Sequence, residues 1–104
     1  MYKVIVTTVL DPKIKSKLSD YSKRTYIPYS KLIESANNEF NKKLKRIKKY
    51  TLKHADFDRM KTQSFSCSIP TEINEIILGT ANELEISKRM LLREMITEFT
   101  LNLK

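Results

Sequence analysis

The stretch "TQSFSCSIP" at residues 62–70 places a hydroxyl at every second position: Thr62, Ser64, Ser66 and Ser68 on one side, with Gln63, Phe65, Cys67 and Ile69 between them. In an extended chain these sets face opposite ways. Serine gains little from packing on a pleated surface, so the row reads as an exposed face of groups that can donate or accept hydrogen bonds.

Residues suited to catalysis are scarce. The chain has one cysteine and one histidine, which excludes an internal disulfide and any metal cluster built from Cys and His. Cys67, on the apolar side of the stretch, is expected to be a buried structural thiol. His54 stands in a lysine-rich segment without a matched partner and is expected to be solvated. Glu72, Glu75, Glu83, Glu85, Glu94 and Glu98 have ordinary helix-surface spacings and are expected to form solvated helix faces. There is no glycine-rich phosphate loop, no HExxH and no Ser/His/Asp set. An enzyme, a cofactor and a metal are therefore not expected.

The net charge of +8 is unevenly distributed. Residues 1–61 hold sixteen Lys/Arg against six Asp/Glu, and residues 62–104 hold four against six. That asymmetry points to a polyanionic partner, nucleic acid before membrane, because no helix joins a basic face to large exposed aromatics. No apolar run approaches the roughly 20 residues of a membrane span, and "MYKVIVTTVL" is too short for a signal peptide. An intracellular location is expected.

The hydroxyl row needs elements to hold it. "YKVIVTTVL" is β-branched and short, as strands are. Asp11 can cap the following helix and Pro12 suits its first turn. Ile14, Leu18 and Tyr21 then share one helical stripe. "RTYIPYS" interrupts the pattern, since Pro28 drives Ile27 out of the helical region. A second helix carries Leu32, Ile33, Ala36 and Phe40, with Leu44 and Ile47 in phase, so it is expected to run on to about Tyr50. The basic stretch Lys42, Lys43, Lys45, Arg46, Lys48 and Lys49 is either a solvated extension or a set of phosphate contacts.

The order strand, helix, turn, helix then recurs. "TQSFSCSI" is the strand, "PTE" opens a helix bearing Ile73 and Ile77, and "ELEIS" breaks it with Ser87 as a capping candidate. A last helix carries Leu91, Leu92, Met95 and Phe99. A shift of 59 residues lays Leu10 on Ile69, Ile14 on Ile73, Leu18 on Ile77, Ile27 on Ile86, Leu32 on Leu91, Ile33 on Leu92 and Phe40 on Phe99 without a gap. A unit of roughly 40 residues cannot bury a core alone, whereas two can share one. Two such strands paired antiparallel would make a ribbon, apolar beneath and polar above, closed by four helices. The expected division is residues 1–50, a linker at 51–61, and residues 62–104, in one composite domain. Gly79 falls inside a helix and is expected at a close packing contact.

"SIPTEI" followed by a helix, "EIS" and "KRMLLREM" resembles the ribbon-helix-helix motif of the Arc, MetJ and CopG type, and "TTVLDPKI" with "YIPYSKLI" resembles it again. The two stretches cover residues 2–40 and 62–99. The fold implied is mainly α with a two-stranded antiparallel β-ribbon, the two motifs forming an intramolecular pseudodimer. This tandem arrangement resembles TraY-like conjugation proteins and, more closely, small transcriptional regulators of archaeal filamentous viruses. Such a regulator would be DNA-associated in its host's cytoplasm.

The resemblance implies residue roles. Base-contacting positions are Ile5, Thr7 and Val9 on one strand and Ser64, Ser66 and Ser68 on the other, with Lys3 and Thr62 as outer ribbon positions. Ile5 and Val9 depart from the usual polar pattern, which implies either contacts to thymine methyl groups or a partly covered ribbon. The first turn of each second helix would contact phosphate: Tyr29 and Ser30 in one copy; Ser87, Lys88 and Arg89 in the other. The family often has glycine between its helices, where this chain has Tyr26 and Glu85.

The function expected is that of a sequence-specific regulator of transcription, repressor or activator, inserting the ribbon into the major groove of double-stranded DNA, with units able to associate side by side. The alternatives are an antitoxin-like interaction protein and a relaxosome accessory protein. Only "TLNLK" follows Phe99, so a toxin-binding tail is not expected there.

Overall fold

The computed structural model describes residues 2–47, 49–54 and 61–103. Strand β1 (Lys3–Leu10) leads into helices α1 (Pro12–Thr25) and α2 (Tyr29–Lys45); β2 (Gln63–Pro70) leads into α3 (Thr71–Leu84) and α4 (Lys88–Leu101). The two strands pair antiparallel as a two-stranded sheet. The chain is thus mainly helical with one β-ribbon, as expected.

Local chemistry explains most boundaries. The Asp11 carboxylate accepts from the Lys13 N–H at 2.8 Å, and Pro12 takes the first helical position, where no hydrogen bond is forfeited. Pro28 and Pro70 precede α2 and α3 without a side-chain cap, while Ser87 caps α4 through the Met90 N–H at 3.1 Å. Tyr26 and Glu85, at φ of 59° and 58°, end α1 and α3 in the left-handed region. Neither is glycine, so each carries a steric cost of about 1 kcal/mol. After α3, Ile86 N–H donates to the Ala81 carbonyl and Glu85 N–H to the Asn82 carbonyl, and Ile86 packs on the core. This pairing absorbs carbonyls the helix end would otherwise leave open.

The starts of α1 and α3, the starts of α2 and α4, and the two left-handed residues are each 59 residues apart. All fourteen apolar residues matched at that spacing belong to the core or pack against it. The core is a single one: α4 packs on β1 and α2, and α2 packs on β2. Neither sequence half buries its own apolar face without the other, and each buried Leu or Ile contributes about 1.5–3 kcal/mol.

Two expectations are corrected. The second helix stops at Lys45 and does not continue to Tyr50; the Arg46 N–H closes it on the Lys43 carbonyl. Gly79 is not at a close contact, since nothing lies within 4 Å of where its Cβ would stand. It sits exposed in mid-helix, a choice that costs about 1 kcal/mol against alanine. In helix α4, Leu91 through Thr97 are all buried.

Candidate nucleic-acid interface

The alternation of β1 and β2 sends Val6, Leu10, Phe65 and Ile69 into the core and turns the hydroxyl row outward. Ile5, Thr7, Ser64, Ser66 and Ser68 are exposed and Val9 is half-buried. The register makes three facing pairs of these six: Ile5 with Ser68, Thr7 with Ser66, and Val9 with Ser64. At the centre, the Thr7 and Ser66 hydroxyls are 3.1 Å apart and hydrogen-bonded. Lys3, exposed, extends the face opposite Pro70. Thr62 lies just before β2 and is half-buried. Ile5 is 72% exposed, so nothing in the described residues covers that end of the ribbon. Cys67 faces inward but is half-buried rather than buried. Burial pushes its thiol up to about 11, which keeps it protonated and unreactive at neutral pH.

Both second helices start against the ribbon. The Tyr29 ring packs edge-on against Phe65 of β2 at 5.1 Å between centroids, so its first-turn neighbour Ser30 is held near that strand. Thr8 of β1 donates its hydroxyl to the Arg89 carbonyl at 2.7 Å, which ties the first turn of α4 to the other strand. Arg89 and Ser87 are exposed. The Lys88 ammonium, however, donates to the Asn74 side chain of α3 at 3.0 Å.

The basic stretch divides. Lys42, Lys45, Arg46 and Lys49 are exposed, and Lys48 lies outside the described residues. They follow from the far end of α2, roughly 24 Å along the helix from the first turn that meets the ribbon. Lys43 is engaged: its ammonium pairs with Glu98 of α4 at 3.2 Å.

The expectation that His54, Glu94 and Glu98 are solvated does not hold. Glu94 is 1% exposed and accepts hydrogen bonds from the Tyr50 hydroxyl, from the Lys53 N–H at 3.0 Å and from the His54 N–H at 2.9 Å. The His54 ring meets Glu98 at 2.7 Å, and the Tyr50 ring packs edge-on against Phe40. Burial, followed by the hydrogen bond to Glu94, pushes the Tyr50 hydroxyl far above its usual range. Residues 50–54 are thereby clasped to the outer side of α4. The remainder of the expected linker, residues 55–60, lies outside the described residues.

His54, Glu94 and Glu98 bring ligand-type atoms within 4.8 Å of one another. Their lone pairs already serve the Tyr50 hydroxyl, two backbone N–H groups and the Lys43 ammonium, and a metal ion would have to compete with that ammonium. The arrangement holds chain to chain. Beside the clasp, burial lowers Arg93 from its usual range, against the opposing pull of Asp11 and Glu94. Among the described residues, no helix is long and apolar enough to cross a membrane.

One face therefore offers what a polar, grooved, anionic partner requires: hydroxyls and two apolar groups in paired rows, flanked by two helix starts whose positive dipole ends favour phosphate. Residues 3–36, which span β1, α1 and the first half of α2, match the family model described as Ribbon-helix-helix domain. No curated protein and no solved structure matches the chain. The matched family binds DNA and is typically non-enzymatic.

Proposed function

We propose that this chain is a sequence-specific DNA-binding regulator of transcription that lays its β-ribbon in the major groove, with its two strand-helix-helix units acting as an intramolecular pseudodimer. The observation that supports this reading best is the face-to-face pairing of the six outward positions around the Thr7–Ser66 hydroxyl pair. A B-DNA major groove about 12 Å wide admits a two-stranded ribbon, and its base edges carry a distinct pattern of donors, acceptors and methyl groups. Ser64, Ser66, Ser68 and Thr7 are permissive hydrogen-bonding readers; Ile5 and Val9 contact thymine methyl groups. The backbone N–H groups at Tyr29, Ser30, Lys88 and Arg89 hold the flanking phosphates, with Ser87 as cap.

The two strands carry different readers, so the site they select is asymmetric. Thr7 and Ser66 occupy the middle of the ribbon, and the residue 59 positions after Ile5 is Ser64, not a second apolar group. Thymine preference is therefore expected on the side contacted by β1 and weaker preference on the side contacted by β2. Selection of bound sequences from a random DNA pool tests this directly. A symmetric consensus counts against the ribbon reading, and no enrichment at about 150 mM salt, where non-specific binding is weak, rejects it.

Specificity and affinity separate by mutation. Replacing Ser64 and Ser66 with alanine is expected to relax sequence preference with little loss of overall affinity. Lys42, Lys45 and Arg46, at the far end of α2, act through the protein's field rather than by gripping phosphates in the same groove. Neutralising all three with glutamine is expected to weaken binding to every sequence while changing the slope of log affinity against log salt by less than about one unit per residue. A change of a full unit for each would make them phosphate contacts. Lys43 is left out of this set because its charge is engaged by Glu98.

A further inference from the structure

The corner joining α1 to α2 and the corner joining α3 to α4 share a backbone shape and differ in chemistry. Tyr26 and Glu85 both stand in the left-handed region. Lys23 and Arg24 precede Tyr26 in the last turn of α1, whereas the residues 59 positions on are Asn82 and Glu83, and α3 ends without a cation. Side chains at all six positions are exposed. The first corner is rigid: the Ser22 hydroxyl donates across the turn to the Ile27 carbonyl at 2.6 Å, Ile27 packs on the core, and the Arg24 guanidinium lies over the Tyr21 ring, 5.7 Å from its centroid. It also stands beside the ribbon. Tyr29, which packs on Phe65 of β2, is three residues on from Tyr26 and so within about 11 Å of it along the chain.

We propose that Lys23, Arg24 and Tyr26 form a further contact to the sugar-phosphate backbone, on one flank of the bound DNA only, while Glu83 and Glu85 keep the α3–α4 corner from gripping the other flank. This contact rests on the DNA-binding reading above and gives the flanks a polarity that the ribbon alone does not. Tyr26 carries most of the inference. Its side chain is 92% exposed, so burial offsets none of the cost of a left-handed tyrosine, and glycine would hold the same turn without strain. Backbone strain kept at an exposed aromatic points to a use for that side chain outside its own chain. A tyrosine ring packs against deoxyribose and its hydroxyl donates to a phosphate oxygen, while the two cations neutralise neighbouring phosphates. Cations at a helix end also suit the helix dipole. The end of α3 does without them, however, and the dipole gives Tyr26 no role. At the second corner two carboxylates would face phosphate, which like charge disfavours.

The test uses the full chain and the selected DNA site, made with ordinary phosphates or with uncharged methylphosphonates in one flank or the other. Tyr26→Gly is expected to melt no lower than the native protein, since glycine relaxes the left-handed turn, and to bind the ordinary site about tenfold more weakly. That deficit should shrink when one flank is neutralised and persist when the other is, because only one flank meets the corner. Lys23→Gln with Arg24→Gln is expected to reduce the slope of log affinity against log salt by about one unit per residue, and Glu83→Gln with Glu85→Gln to leave it unchanged. The proposal is overturned if Tyr26→Gly binds like the native protein, if its deficit responds to both flanks alike or to neither, or if the Lys23 and Arg24 variant keeps the native salt slope. Native-like binding by Thr7→Glu is a distinct result: it moves DNA off the ribbon, and the corner contact falls with the reading it rests on.

Discussion

Thr7→Glu is expected to lower affinity for the selected DNA site at least about a hundredfold, since like charges brought together across an interface cost several kcal/mol. Position sets the size of the effect. Thr7 is exposed, opposite Ser66, at the middle of the outward ribbon face. A carboxylate there would meet base edges rich in acceptors and lie between two rows of phosphates. The fold should not suffer, because among the described residues the native side chain has only the Ser66 hydroxyl as a hydrogen-bond partner. Thr7→Val removes that hydroxyl while keeping shape and neutrality, and is expected to cost about 1 kcal/mol. Fluorescence anisotropy with the selected site, alongside thermal melting by circular dichroism, reads both effects. Native-like affinity in Thr7→Glu would place DNA on another surface.

Glu94→Ala is expected to lower the unfolding free energy by about 3 kcal/mol, more than an ordinary charged-residue substitution on a helix. The carboxylate is buried and holds the Tyr50 hydroxyl and the Lys53 and His54 amides. Without it, those donors must either stay buried unpaired or lift away from α4 to reach water. Hydrogen exchange distinguishes the clasp from a general loss of stability: the Lys53 and His54 amides should lose protection well before those of α4. If all slow amides lose protection together, residues 50–54 are not held by this carboxylate. The neighbouring Glu98 adds a pH dependence. Burial pushes its carboxyl up, but hydrogen bonds from His54 and Lys43, with the charges of Lys43 and Lys53, outweigh this and hold it below its usual range. A carboxyl so depressed adds stability that is present above its unfolded value of about 4.3 and is lost as pH falls through the lower folded value. Denaturant unfolding should therefore find Glu98→Gln less stable than the native protein at neutral pH, with the gap shrinking below about pH 4.

The contrast between the ribbon and the clasp shows what a sequence reveals. Alternation along residues 62–70 is a local pattern of period two, so the outward row could be read without knowing what lies beneath. The fourteen apolar residues spaced 59 apart were legible for a similar reason: periodicity and repetition are one-dimensional properties. Asp11, Pro12 and Ser87 announce their helix starts through side-chain chemistry that acts within three residues. The clasp has no such signature. Its partners are some 40 to 55 residues apart in sequence, and each has a local setting that suits a solvated charge. The clearest hint was in "LLREMIT", where Arg93 and Glu94 interrupt a run too apolar for one exposed face. Tyr26 and Glu85 hid the left-handed turns because glycine, the usual sign, is absent there. Lys43 and Lys88 are reminders that a basic residue in the right place need not be available, as each already donates to a neighbour across the fold.

Both strands of the sheet belong to one chain, and that has a consequence for dilution. A ribbon assembled from two separate chains would lose about 1.4 kcal/mol of stability for every tenfold fall in concentration. Here the pairing is unimolecular, so the ribbon face is as complete when a few molecules are present as when thousands are.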